Sequence, residues 1–245
     1  MQEPSNPQRK RIKGTVALLL AFAAGCVDIV GYLSFGKLFT AHLTGSTVHL
    51  GEWLTEARSQ DAARAAAIIA VFVVGSIIGR TAIEVGSRLR LRSVAVVTLF
   101  LEAGFIASVI PAGHTQLFSL LMLAAAMGVQ TATLTRIGSL TVHTTFVTGM
   151  LNKLAQLLSH VVFLTYDVLR GSRAAITARL KALRDARFIF SVWLFYLAGA
   201  ASGTWMKFRV ELHALLLPGV LVLSLAIVDL ISPLAVEEER DVPER

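Results

Sequence analysis

Leu38-Phe39-Thr40-Ala41-His42-Leu43-Thr44-Gly45 returns 104 residues later as Val142-His143-Thr144-Thr145-Phe146-Val147-Thr148-Gly149, so that Thr44-Gly45 falls on Thr148-Gly149. A second pair follows in the same order. Phe72, Gly75 and Gly79 are echoed by Tyr196, Gly199 and Gly203 at an offset of 124. The chain between these landmarks is mostly apolar, so the pattern reads as two copies of one membrane unit, each carrying a polar motif. The larger second offset reads as a longer linker in the second copy. Duplicated membrane units with a site where the copies meet are a common plan for transporters.

The chain has 245 residues, 55% of them hydrophobic, and a mean hydropathy of +0.67. Apolar runs long enough to cross a bilayer have no place in a soluble core, so the fold class is an all-α integral membrane protein. The single cysteine, Cys26, excludes an intramolecular disulfide. A formal charge of +7 raises the question of nucleic acid. The basic residues, however, sit in short blocks between apolar runs, as in cytoplasmic loops that face anionic lipid. The expected partners are membrane lipid and a small-molecule or ion substrate, with no nucleic acid. Residues 1–13 form a basic cytoplasmic N-terminus, and the run behind them reads as an uncleaved first helix.

Six apolar segments predict spans over 14–36, 64–86, 93–111, 115–136, 187–207 and 213–233, each close to the ~20 residues a bilayer needs. Segments 38–56 and 140–168 carry the Thr-Gly motifs and too many polar groups to face hydrocarbon all round. Charge decides how they sit. Arg9, Lys10, Arg11 and Lys13 place the N-terminus inside, and Arg80, Arg88, Arg90 and Arg92 mark a second inside loop. The basic linker 170–187 marks a third, whereas the turn 111–116 lacks Lys and Arg and suits the outside. All basic blocks fall inside only if both Thr-Gly segments are broken or re-entrant. The expectation is therefore six transmembrane helices plus two broken or re-entrant segments. Three spans per half make the duplication an inverted-topology internal repeat, with 14–111 and 115–233 as its two membrane units. Ile176, Leu180 and Leu183 recur at helical spacing among the linker's cations, which predicts a helix lying on the cytoplasmic face. The tail, 234–245, is acidic and reads as disordered.

The run Ala24-Gly25-Cys26-Val27-Asp28-Ile29-Val30-Gly31-Tyr32, followed by Phe39-Thr40-Ala41-His42-Leu43-Thr44-Gly45-Ser46-Thr47, resembles the signature of the YoaK-like family. That family comprises bacterial inner-membrane proteins without an assigned function. The resemblance extends over the apolar region and departs from the family pattern at Ser46, where Asn is usual. It implies a multi-pass protein of the bacterial inner membrane and attaches no reaction or substrate; the charge pattern is what places both termini in the cytoplasm.

Asp28 falls mid-way along the first helix, where a carboxylate is costly and is kept for a proton, a cation or a partner. Glu102 is the second such group, and the two are the proton-coupling candidates. The alternative for Asp28 is structural: bonded to threonine hydroxyls, it would pin the broken segment. Thr44, Gly45, Thr47, Thr148 and Gly149 are the expected break points, where freed amides or carbonyls line a substrate or ion site. His42, Asn152 and Lys153 complete the candidate binding set, and Asp28, Thr44, Thr47, Asn152 and Lys153 are expected to converge on one water-accessible midplane cavity. A pairing of Lys153 with Asp28 or Glu102 is the structural alternative to anion binding. His42 and His49, seven apart with Glu52 beyond, lack a strong metal-ligand motif, so no metal or other cofactor is expected. Gly75, Gly79, Gly199 and Gly203 read as helix-packing positions that cross one another at the pseudo-two-fold axis. The absence of a Ser-His or His-Glu-x-x-His set or a nucleotide loop argues against an enzyme. Secondary transport of a small solute, with proton or ion coupling, leads; a non-transporting membrane sensor or assembly protein is the alternative.

Overall fold

The computed structural model describes residues 7–89, 91, 93–111, 115–133, 135–137 and 140–231. Expectations for residues 1–6, 112–114 and 234–245 lie outside the described residues. Helix α1 (Pro7–Ser34) is apolar around its circumference and becomes the centre of the molecule. Leu20, Ala21, Ala24, Cys26, Val27 and Val30 have no exposed surface. Gly36, at a φ of 81°, lets the helix end in a left-handed turn, with the Lys37 amide donating to the Tyr32 carbonyl. The chain then doubles back along α1 and turns into α2 (Leu43–Thr55). Helix α3 (Ser59–Arg88) returns beside α2, with Trp53 buried in the same cluster as Ala62 and Ala65.

Helices α4 (Ala95–Ala107) and α5 (Gln116–Ala132) form an antiparallel pair, tied where the Thr133 hydroxyl donates to the Thr98 hydroxyl at 2.9 Å. A three-residue antiparallel ribbon follows, β1 (Thr135–Ile137) and β2 (Leu140–Val142), with Thr135 opposite Val142. Helix α6 (Val147–Leu169) leads to α7 (Arg173–Val210), a short 3-10 turn (Glu211–Leu215) and α8 (Leu216–Ile231).

Glycines govern how the helices cross. A Cβ at Gly25 of α1 would overlap the Tyr196 carbonyl oxygen, and one at Gly199 of α7 would overlap that of Phe22. At the other crossing Gly128 of α5 stands in the same relation to Phe72, and Gly75 of α3 to Ala125. Gly79 and Gly203 repeat the pattern one turn on, with 3.0 Å separating an added Cβ from the Val129 and Cys26 carbonyl oxygens respectively. Small residues let backbones touch where lipid supplies no hydrophobic drive between helices. The glycine pairs therefore do not cross one another. Each packs against the first helix of the other half, because those helices supply the matching glycines, Gly25 and Gly128.

The same pairs fix directions. Helix α1 is parallel to α7, since Gly14 faces Phe188 and Gly203 faces Cys26; α3 is likewise parallel to α5. Helix α1 is antiparallel to α5, with the Gln130 amide on the Leu20 carbonyl (2.7 Å) and Gly31 facing Leu123. Helices α4 and α8 are antiparallel, with Ile106 beside Gly219 and the Ser93 hydroxyl donating to Asp229.

Helix α3 buries Ala65, Ile68, Gly75 and Gly79 and turns Val73, Val74, Ile77 and Ile78 outward. Small residues in and branched apolar residues out is the pattern of a helix solvated by hydrocarbon. Among the described residues, four stretches are long and apolar enough to cross a bilayer: Arg11–Ser34, Ser59–Arg88, Val147–Leu169 and the run Arg173–Ile231 that holds α7 and α8. Helices α4 and α5 are apolar but shorter.

Three expectations change in detail. The segment expected to span 115–136 stops at Ala132, where the ribbon begins. The Thr-Gly pairs are not breaks inside helices: both sit in the first turn, and α6 is continuous over 23 residues. The non-helical chain precedes them, at 35–42 in the first case and, in the second, at the β1–β2 ribbon and residues 143–146. Finally, the basic linker is not a separate helix. Arg173 opens α7, which runs unbroken for 38 residues, about 57 Å at 1.5 Å per residue. The extra residues of the second half lengthen two packed helices, 23 residues in α6 against 13 in α2, and 38 in α7 against 30 in α3.

Candidate functional site

Asp28 is buried on α1, 3% exposed, at the level to which the returning chain descends. Its Oδ1 accepts from the Thr40 amide (2.9 Å), the Thr40 hydroxyl (3.0 Å) and the Ala41 amide (2.9 Å). Its Oδ2 accepts from the Tyr196 hydroxyl of α7 at 3.0 Å and lies 2.6 Å from His42 Nδ1. With the carboxylate as acceptor, Nδ1 carries the hydrogen and Nε2 is the nitrogen left for water or solute. The side chain of His42 is 31% exposed, against 4% for Asp28, so the imidazole is the cluster's face toward the surroundings. Phe39 stacks on Tyr32 (4.4 Å between centroids) and tilts against His42 (5.3 Å), holding the imidazole from the other side.

The carboxylate thus satisfies two backbone amides of a non-helical segment that has no ladder or helix of its own. Unmet amides in an apolar interior cost several kcal/mol each, roughly. This is why residues 39–41 can lie at depth beside α1. Chemically, the cluster holds an anion under five donors and leaves one imidazole nitrogen free. That suits holding a group in place better than attacking one.

The matching place in the second half has the same backbone and different chemistry. His42 precedes α2 at φ −89°, ψ 71°, and Phe146 precedes α6 at φ −102°, ψ 70°. Counting from the crossing glycines, Thr131 stands where Asp28 does and shares a hydrogen bond with the Thr145 hydroxyl at 2.7 Å. Phe72 stands where Tyr196 does. Asp28, His42 and Tyr196 are answered by Thr131, Phe146 and Phe72, none of which carries charge.

Of the sequence-derived candidates, Asp28 and His42 are brought together. Thr44, Thr47, Thr148 and Asn152 are exposed on α2 and α6, with the Thr47 hydroxyl donating back to the Leu43 carbonyl at 2.8 Å. Gly45 and Gly149 make room for the rings of Phe39 and Phe146. The cavity expected to join Asp28, Thr44, Thr47, Asn152 and Lys153 is therefore not what the helices assemble. Lys153 is half-buried on α6, within electrostatic range of His143. Its expected pairing with Asp28 or Glu102 is not made: Asp28 is held as above, and Glu102 is buried without a hydrogen-bond partner. His49 turns to Glu52 (3.1 Å) and stacks on Trp53, away from His42. Asp229, near the end of α8, is 1% exposed. Tyr196 and Thr40 were missed as site residues. The signal for Tyr196 was there, since it is the one aromatic landmark whose counterpart, Phe72, lacks a hydroxyl.

Outward-facing branched residues, glycine-tight crossings and a buried polar centre define an α-helical multi-pass membrane protein. The chain belongs to the family described as "Protein of unknown function (DUF1275)", whose model matches residues 16–228. It is similar to the UPF0700 transmembrane protein YoaK of Bacillus subtilis (strain 168), 28% identical over 160 residues that cover 62% of this chain and 69% of the relative. The YoaK-like resemblance read from the Gly25–Asp28 and Thr44–Gly45 motifs is thereby shown. No solved structure matches.

Proposed function

We propose that the protein is a secondary transporter of a small solute, built of two halves that enter the bacterial inner membrane in opposite senses. The single observation that carries this reading is the exchange of crossings: α1 lies in the glycine groove of α7, and α5 lies in that of α3. Because α1 and α5 are antiparallel, the halves correspond by a half-turn about an axis in the membrane plane, the geometry that supports alternating access. In this reading the protein has six spans, with the chain that leads into α2 and the chain that leads into α6 as the re-entrant parts. The helix directions also put the start of α1, the end of α3, the start of α7 and the end of α8 on one side. Charge assigns that side to the cytoplasm, together with both termini.

The Asp28–His42–Tyr196 cluster is the substrate or ion site, with His42 Nε2 its reachable atom. The test is uptake by purified protein in liposomes, using solutes and ions first selected by their effect on melting temperature. His42→Gln keeps a donor for Asp28 and removes the imidazole; it should abolish uptake while the protein stays folded. Failure of every selected solute to enter liposomes would favour the sensor or assembly reading. That alternative draws on the lengthened α6–α7 pair, whose exposed Val162, Phe163, Leu169 and Leu180 lie among cations.

A further inference from the structure

Glu102 lies on the inner face of α4 with no exposed surface, and neither carboxyl oxygen has a hydrogen-bond partner. The contrast with Asp28, under five donors, is complete. Gln130 of α5 is 1% exposed; its Nε2 donates to the Leu20 carbonyl, and its Oε1 has no donor. The two residues stand at the same level. Thr98 and Thr133 join α4 to α5, Glu102 is one turn after Thr98, and Gln130 is one turn before Thr133. In an antiparallel pair these steps run the same way along the bundle.

Among the described residues, three buried acceptor oxygens without a donor therefore stand at one level of the α4–α5 pair. An ionised carboxylate left so is costly by several kcal/mol, roughly, even after relaxation. One hydrogen answers both residues: a carboxylic O–H donating to Gln130 Oε1. A hard cation would need about six oxygens. The nearby hydroxyls are committed, since Thr98 donates to the Ala95 carbonyl (2.8 Å) and accepts from Thr133. We propose that Glu102 is a proton-binding site, a neutral carboxylic acid that Gln130 stabilises as acceptor, and that this proton is the one coupled to solute movement. The site stands on geometry alone; only its coupling role rests on the transport reading.

Infrared spectroscopy of the full-length protein in nanodiscs resolves the C=O stretch of a protonated carboxyl from ionised carboxylates. At neutral pH the wild type should show that band, Glu102→Gln should lose it, Asp28→Asn should keep it, and Gln130→Leu should shift it. Glu102→Met provides the same readout if the glutamine variant does not fold. A folded wild type without the band, or a band that survives both Glu102 variants, overturns the proposal. A band abolished by added Na⁺ also overturns it, in favour of a cation site. If the band behaves as expected but a pH gradient drives no uptake of any selected solute, the coupling role falls with the transport reading and the proton site remains.

Discussion

Asp28 and Glu102 are both carboxyls deep in an apolar bundle, and they meet that condition in opposite ways. Asp28 is ringed by donors, so its charge is distributed over five hydrogen bonds and the return segment is fastened to it. Tyr196→Phe tests how much one donor contributes. The ring is retained, and Phe72 shows that phenylalanine fits the equivalent crossing. The loss should be that of one hydrogen bond to a charged group, about 2 kcal/mol of unfolding free energy in detergent. No measurable loss would mean that Thr40, Ala41 and His42 hold Asp28 alone. Asp28 was legible in the sequence because a mid-helix acid is rare. Its partners were not, since Thr40 and Tyr196 reach it only after the chain doubles back and α7 packs on α1.

At the scale of the element, the crossings are the part of the fold that tolerates least. A valine at Gly25 or Gly128 would meet backbone, which cannot rotate away. Either substitution should cost about 3 kcal/mol or more, or prevent folding. Gly104 of α4 has nothing within 4 Å of an added Cβ, so Gly104→Ala should change stability by no more than about 0.5 kcal/mol. Equal melting temperatures for the Gly25→Val and Gly104→Ala proteins would refute the close crossing. The glycine spacing announced packing positions at Gly75, Gly79, Gly199 and Gly203 but misassigned their partners, which are Gly128 and Gly25 rather than one another. The interruptions were harder to place, because a Thr-Gly pair suits a helix start as well as a break. What ends α1 is Gly36, and what lets the chain leave regular structure is Asp28, twelve residues before the Thr40 amide it accepts from. That long-range compensation leaves no local mark.

For the whole molecule, the proposed arrangement makes a sidedness prediction. In a Cys26→Ala background, a cysteine at Gln116 should be labelled by an impermeant reagent from outside, and one at Ser172 only from inside. Both positions are exposed. Labelling of both from outside would end the six-span reading. The proposed inverted relation rests on charge and an odd number of spans, both readable in the sequence. The exchange of partners between halves was not, since nothing in a linear sequence says which glycine groove receives which helix.

In the proposed arrangement, halves related by a half-turn offer the insertion machinery two nearly equivalent ways into the membrane, and a choice must come from what the halves do not share. The lengthened α6–α7 pair supplies it. Its tip, residues 160–187, carries six Lys and Arg against two Asp, whereas the corresponding stretch of the α2–α3 pair, residues 52–64, carries two Arg against three acids. In the proposed arrangement the twenty added residues would act as a keel: ballast that the translocation step retains on the cytoplasmic side, so that only one of two oppositely inserted molecules is made.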